Sequence, residues 1–477
     1  MNNLKVDVAV IGAGTAGLAA YRAAKSHDKR VLLIEGGPYG TTCARVGCMP
    51  SKLLIAAAEA AYAVGRAPAF GVHAGPLRID GRAVMARMQA ERDRFVGFVL
   101  HGVEKIPQAD RLRGHARFID PKSLQVDDHT TVSAERIVIA TGSSPQLPDA
   151  LQGVGERLGT SDDIFDWNDL PESVAVVGIG VIGLELGQAL HRLGVRVALF
   201  GRNSAPAQLS DPAVLAAATA CLTAELDVRL NTQVLGVERN GDDVIVRSRS
   251  PAGEEFTERY TYVMAATGRM PNVMGLGLEH AGLALNEAGV PLFDSRTMQC
   301  GDSPVFIAGD ADNDRPVLHE AADQGRIAGD NAGRYPDVRP GLRRTPLAIA
   351  FTDPQIATVG RTYRTLTAGS FVIGEVSFED QGRSRVMRQN HGLLHVYAEI
   401  GSGRFIGAEM IGPRAEHLAH LLAWACQSGM TVAQMLDMPF YHPVIEEGVR
   451  TALRDAREKL LHGLPPIEHC TDCTPGV

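Results

Sequence analysis

The sequence predicts an α/β protein: two βαβ units of buried parallel-sheet type, followed by a separate α+β C-terminal domain. Three observations predict it. Strand Val6–Ile11 runs through Gly12-Ala13-Gly14-Thr15-Ala16-Gly17 into a helix reaching about Lys25, then into strand Val31–Glu35. The same design returns as strand Val174–Val177, Gly178-Ile179-Gly180-Val181-Ile182-Gly183, a helix to about Leu193 and strand Val195–Phe200. Towards the C-terminus, strands Leu393–Ala398 and Arg404–Ile411 alternate with helices Ala415–Ser428 and Ile445–Leu461, the pattern of a domain with its own core. In both βαβ units the strands are unbroken apolar runs, and the glycines fall where strand meets helix.

At 477 residues the chain exceeds one ordinary core. Boundaries are expected near Pro148, Pro271 and Pro340, giving segments 1–148, 149–270, 271–340 and 341–477. The net charge of −8, with no long basic run, argues against nucleic acid or an anionic membrane as partner. Lys5 and Asp7 interrupt the first apolar run, which reads as a strand and not a signal peptide. No apolar stretch reaches spanning length by this reading, so the cytoplasm is the expected location. The seven cysteines are odd in number and scattered, unlike a secreted disulfide framework. A disulfide here is expected to be catalytic. Ile79–Arg94 is expected to be helical, and Arg136–Thr141 a strand ending in Thr141-Gly142-Ser143, echoed by Met264–Thr267 and Gly268.

Each glycine of the first loop has a distinct use. Gly12 allows the tight turn, Gly14 lets backbone approach a pyrophosphate, and Gly17 lets helix pack on strand. The helix N-terminus offers N–H groups and a positive dipole end to phosphates. Glu35 closes the next strand, where a carboxylate accepts hydrogen bonds from a ribose diol. One such loop is weak evidence, because many unrelated dehydrogenases have one. Two in one chain imply two nucleotides that exchange electrons.

The segment Cys43-Ala44-Arg45-Val46-Gly47-Cys48-Met49-Pro50-Ser51-Lys52 follows the first unit. On a regular helix Cys43 and Cys48 would sit roughly 7–8 Å apart along the axis, on different faces. Bridged cysteines have Cα atoms under about 7 Å apart, so a ring between them needs an irregular turn. Gly47 supplies backbone freedom, and Pro50 suits the first turn of a helix starting near Cys48. A thiolate at that helix start is stabilised by the dipole. Two free buried cysteines are the plainer alternative.

This segment resembles the active site of the class I pyridine nucleotide-disulfide oxidoreductase family, and within it the dihydrolipoyl dehydrogenase branch. Further motifs follow in the family's order: Val305-Phe306-Ile307-Ala308-Gly309-Asp310, His319-Glu320-Ala321-Ala322, Phe351-Thr352-Asp353-Pro354-Gln355-Ile356-Ala357 and Tyr441-His442-Pro443-Val444-Ile445-Glu446-Glu447. The resemblance implies two Rossmann-like domains, one for FAD and one for NAD or NADP, plus a dimerisation domain. It implies Cys43 as the interchange thiol and Cys48 as the thiol against the flavin. His442 is implied as general base from the partner subunit of a homodimer, with Glu447 orienting it. Lys52 and Glu185 match an ion pair beside the flavin, and Asp310 meets the ribityl chain. Thr141, Gly142 and Gly268 are taken with the nucleotide sites. The implied substrate is a small dithiol or disulfide, or a lipoyl domain, and no metal is expected.

Two features depart from that branch. NAD-specific relatives place a carboxylate where Gly201 stands, whereas here Arg202 follows, as suits a 2′-phosphate. Gln208 replaces a second arginine of NADPH-binding relatives. Arg22 aligns with a glutathione-contacting arginine and is otherwise a plain helix-surface residue. The tail Glu468-His469-Cys470-Thr471-Asp472-Cys473 reads as incidental thiols, a third redox centre or a partial metal site. Competing readings are an NADPH-driven reductase of a glutathione-like disulfide or of mercuric ion, and a non-catalytic docking subunit of a multienzyme assembly. His442 stands where the mercuric branch has a tyrosine.

Overall fold

In the first strand, Val8 and Val10 pack into one apolar layer and Ala9 and Ile11 into the opposite one. Burial on both faces is what demands an unbroken apolar strand. The protein is described by a computed structural model covering residues 2–463, with the backbone alone at Gln208. His469, Cys470 and Cys473 lie outside the described residues. The described residues form two units, one up to 171 with 264–343 and one of 172–263 with the residues from 344 on.

In the first unit, strand Asn2–Ile11 pairs in parallel with Val31–Glu35 on one side and Thr130–Ile139 on the other. Arg111–Arg113 extends the parallel sheet at one edge, and Val305–Ile307 joins the end of Thr130–Ile139. Ser123–Val126 and Ala116–Asp120 add an antiparallel hairpin. Two strands start earlier than expected, at Asn2 and Thr130, because their early residues pair with each other, Asn2 opposite Thr130 and Leu4 opposite Val132. Strand Thr130–Ile139 also ends at Ile139, so Thr141 and Gly142 lie in the loop beyond it.

Helix Thr15–Lys25 packs on helix Leu318–Arg334 at very short range. A Cβ on Gly325 would stand 2.1 Å from the Ala16 carbonyl oxygen, and one on Gly329 2.2 Å from that of Ala20. Glycine at these two positions lets the backbones touch. The helix expected over Ile79–Arg94 spans Gly81–Glu104, with the Asp80 carboxylate accepting the Ala83 N–H at 3.0 Å as its N-cap. It continues past Arg94 because Phe95, Val99 and Val103 keep the helical spacing.

One expectation is corrected. The helical run Thr42–Phe70 has spanning length, and an 18-residue window within it reaches the hydropathy of a spanning segment, mean hydropathy 1.2. The run is not one rod, however. It breaks at Gly47 into Thr42–Val46 and Cys48–Arg66, then ends in a 3₁₀ turn. It also carries Lys52 and Glu59, and a charge at a bilayer centre costs about 2.5–3.5 kcal/mol.

In the second unit, strands Asp227–Arg229, Arg196–Phe200 and Ser173–Val177 run parallel, with helix Val181–Arg192 as crossover. A three-stranded antiparallel sheet, Gln233–Asn240, Asp243–Arg249 and Glu255–Tyr260, follows. The C-terminal part is a five-stranded antiparallel sheet ordered 347–350, 355–360, 405–412, 393–399, 371–377. Helices Ala415–Gln427 and Glu447–His462 cover it around Leu394, Val396, Leu418, Leu422 and Leu453.

Candidate active site

The first glycine loop is built to receive a phosphate. Gly12 has φ +103, and a Cβ there would lie 2.3 Å from the Ala140 carbonyl oxygen. A Cβ on Gly17 would lie 1.8 Å from the Gly12 oxygen, while the space at Gly14 is open. That opening sits at the start of helix Thr15–Lys25, where backbone N–H groups point outward. The Glu35 carboxylate accepts the Ala13 N–H and the Gly37 N–H, each at 2.7 Å, so it is fixed at the loop. Asp310 accepts the Ser143 hydroxyl at 2.7 Å. Thr141 keeps a buried hydroxyl with no partner, and Gly142 adopts φ +70. An orphaned hydroxyl and an open glycine cradle, next to a fixed carboxylate, fit a bound dinucleotide.

The two redox candidates come together across an irregular turn. Cys43 lies in the short helix Thr42–Val46, and Cys48 opens the helix Cys48–Arg66. Between them Gly47 takes φ −130 and ψ −115, which breaks the helical path. Thr41 caps the first helix, its hydroxyl accepting the Ala44 N–H at 3.3 Å. Across that break the Cys43 and Cys48 thiols come within hydrogen-bonding reach. The Cys48 contact pushes the Cys43 thiol above its ordinary range, burial adds to this, and the Lys52 charge pulls the other way. A thiol held up in this way needs an external base before it can attack.

A base of the right type stands in the second unit. His442 Nδ1 lies 3.1 Å from both carboxylate oxygens of Glu447, which opens helix Glu447–His462. Glu447 also accepts the Val444 N–H at 3.3 Å. The His442 hydrogen bond holds the Glu447 carboxyl below the ordinary range. The His442 side chain is 80% exposed, and Glu447 engages its Nδ1. Glu185 is buried and accepts the Phe351 N–H at 2.8 Å.

In the second loop Gly178 has φ +120 and Gly180 is open, as in the first. Gly183 is buried in the first turn of helix Val181–Arg192. A Cβ on Gly201 would lie 2.5 Å from the Ile179 side chain. The place where an acidic side chain would begin is therefore filled by Ile179. Arg202, next along, is exposed. Gly268 takes φ +118, and its carbonyl accepts the Gln146 N–H at 2.9 Å. Arg22 is exposed on helix Thr15–Lys25. Among the described residues no group of His, Cys, Asp and Glu is arranged to hold a metal ion.

Residues 6–325 match the family described as pyridine nucleotide-disulphide oxidoreductase, and residues 347–453 match its dimerisation domain. The chain belongs to this family. It is an α/β flavoprotein disulfide oxidoreductase that uses FAD and a pyridine nucleotide, and its dimerisation domain supports a homodimer. A dihydrolipoyl dehydrogenase of Haloferax volcanii is 31% identical over 96% of this chain and 98% of its own length. A mercuric reductase of Acidithiobacillus ferrooxidans is 32% identical over 94% of this chain and 82% of its own. The HOCl-induced flavoprotein disulfide reductase of Escherichia coli superposes with a TM-score of 0.80 at 23% identity, covering 96% of this chain and 99% of that one, a likeness of fold. Family membership accounts for the two glycine loops and the thiol pair together.

Proposed function

We propose that this oxidoreductase exchanges two electrons between a pyridine nucleotide and a dithiol–disulfide couple of the dihydrolipoyl type, free or carried on a lipoyl domain, through Cys43 and Cys48. The observation that carries the reading is the His442–Glu447 dyad. With Glu447 accepting from Nδ1, a neutral imidazole has its lone pair on Nε2, where it can take a thiol proton. The mercuric-ion reading gives no role to that base.

Gly12, Gly14, Gly17, Glu35, Thr141, Gly142 and Asp310 would hold FAD, with Lys52 and Glu185 in their family roles at the ring. When bound, FAD supplies the relay that connects nicotinamide hydride chemistry with thiol chemistry. Gly178, Gly180, Gly183, Arg202 and Gly268 would hold the nucleotide. The sulfur steps belong to the chain itself. His442 of one subunit takes a proton from the substrate dithiol, and the thiolate attacks Cys43 Sγ of the oxidised pair. The Cys43–Cys48 bond breaks and Cys48 leaves as thiolate. The second substrate thiol, deprotonated in turn, attacks the mixed disulfide at the substrate's own sulfur. The cyclic disulfide leaves, and two electrons remain on the reduced pair.

A second reading, an NADPH-driven reductase of a glutathione-like disulfide, is favoured by one observation: Ile179 fills the place of an acid at 201, and Arg202 follows it. Arg202→Ala is expected to lower kcat/KM for NADPH by about 10- to 100-fold, the worth of hydrogen bonds to a charged phosphate. It should change kcat/KM for NADH by less than about threefold. A docking subunit would not need Cys43, Cys48 and His442 together. Steady-state rates of the purified flavoprotein with dihydrolipoamide, and with glutathione disulfide, against both nucleotides separate the readings. Turnover of dihydrolipoamide without a partner protein supports the lead reading, and none with either nucleotide overturns it.

A further inference from the structure

The segment that carries Arg202 is tied at its far end to a buried polar cluster in the same unit. It leaves strand Arg196–Phe200 at Gly201 and ends at Ser210 and Asp211, where helix Pro212–Thr223 begins. Glu409, fully buried on strand Phe405–Gly412, accepts the N–H of Ser210 at 2.8 Å, of Asp211 at 3.0 Å and of Tyr363 at 2.8 Å, and also the Ser210 hydroxyl. Asp211 Oδ1 caps the helix through the N–H groups of Ala213 and Val214. Its Oδ2 lies 2.7 Å from His395 Nδ1 and accepts the Tyr397 hydroxyl at 3.0 Å. His395 Nε2 lies 2.7 Å from Glu375 Oε2.

His395 stands opposite Glu375 on one neighbouring strand and Glu409 on the other. Both of its ring nitrogens therefore face carboxylates, and only the imidazolium can donate to both. Burial pushes this histidine down, but Asp211 and Glu375 more than reverse that and leave it above the ordinary value. Burial pushes Asp211 up, and His395 outweighs it, holding the carboxyl below the ordinary range. The remaining polar groups nearby are Tyr363, Tyr397 and, behind Glu375, Asp455 with Lys459.

We propose that Glu409, Asp211 and His395 are positioning residues that latch the nucleotide-binding segment 201–211 to the C-terminal sheet and so set Arg202 for the 2′-phosphate of NADPH. The proposal rests on the reading of Arg202 as the phosphate contact. The latch is complete while His395 is charged. A neutral ring donates to one carboxylate only and turns a lone pair on the other. Because the folded value of His395 is raised, the latch persists to a pH above the ordinary histidine range and is lost as pH rises through that raised value. The nucleotide's phosphate takes its second ionisation with a midpoint of about 6, below this window, so it is largely dianionic throughout it.

The test measures the affinity of the FAD-loaded enzyme for NADP+ and NAD+ between pH 7 and 9.5, in wild type and His395→Gln. In the wild type, the NADP+ dissociation constant is expected to rise about fivefold or more across the window, with little change for NAD+. In His395→Gln, the value at pH 7 should already be raised by about that factor and stay flat, with KM for NADPH raised and kcat at saturation retained. Hydrogen exchange of the Ser210 and Asp211 amides in the wild type, corrected for intrinsic rates, gives a readout that needs no variant. Their protection should fall with pH while helix 447–462 stays protected. A flat NADP+ affinity in the wild type, a pH step that survives His395→Gln, or constant protection overturns the latch. If protection falls but NADP+ and NAD+ respond equally, the latch stands and the Arg202 reading fails.

Discussion

Cys43→Ser and Cys48→Ser should each lower disulfide turnover by about 10⁴-fold, the scale on which loss of a covalent nucleophile acts. FAD content and nucleotide-driven dye reduction, which bypass the sulfurs, should be retained. The two variants are expected to differ in one respect. Cys48→Ser keeps the attacking thiol but has nothing to resolve the mixed disulfide. Offered a linear disulfide such as glutathione disulfide, it should trap one substrate half on Cys43, visible as a single added mass. Cys43→Ser should trap none. The difference follows from the arrangement around Gly47, which brings the two thiols together from separate helices. Equal trapping in both variants would place the attacking sulfur elsewhere.

His442→Gln is the second large effect. The base takes a substrate thiol's proton when a dithiol is oxidised and the Cys43 thiol's proton when a disulfide is reduced, and the Cys48 contact and burial hold the Cys43 thiol above its ordinary range. Removing the base should lower kcat by about 10²–10⁴-fold. The residual rate should rise with pH as hydroxide replaces the imidazole. Glu447→Gln should cost less, about tenfold, because the ring keeps its basic nitrogen and loses only its orienting carboxylate. Rates measured from pH 6 to 10 check both variants. A pH profile of His442→Gln parallel to wild type would remove His442 from the proton path.

Much of this was legible in the sequence because each glycine loop joins an unbroken apolar strand to a helix, and the pattern occurs twice in one chain. The break at Gly47 was legible for a geometric reason, since two sulfurs five residues apart cannot meet on a continuous helix. The short helix Thr42–Val46 before that break was not foreseen. One turn has too little periodicity to register. The close packing of Leu318–Arg334 on Thr15–Lys25 had a signal, glycines at 325 and 329, which only the contact with Ala16 and Ala20 explains. The cluster of Asp211, Glu375, His395 and Glu409 had none. Its members come from four separate elements, and cross-strand register alone brings His395 between two glutamates. Long-range pairing of this kind leaves no mark on local spacing.

Cys43 and Cys48 are expected to be the sulfurs that store the nucleotide's two electrons. Anaerobic treatment of the oxidised, FAD-loaded enzyme with one equivalent of NADPH, followed by alkylation and peptide mapping, tests this directly. Two new labels are expected, both on the peptide carrying Cys43 and Cys48, with none gained at Cys221, Cys300 or Cys426. Labels gained only at those other cysteines, or a Cys43–Cys48 peptide labelled as fully before reduction as after it, would contradict the account.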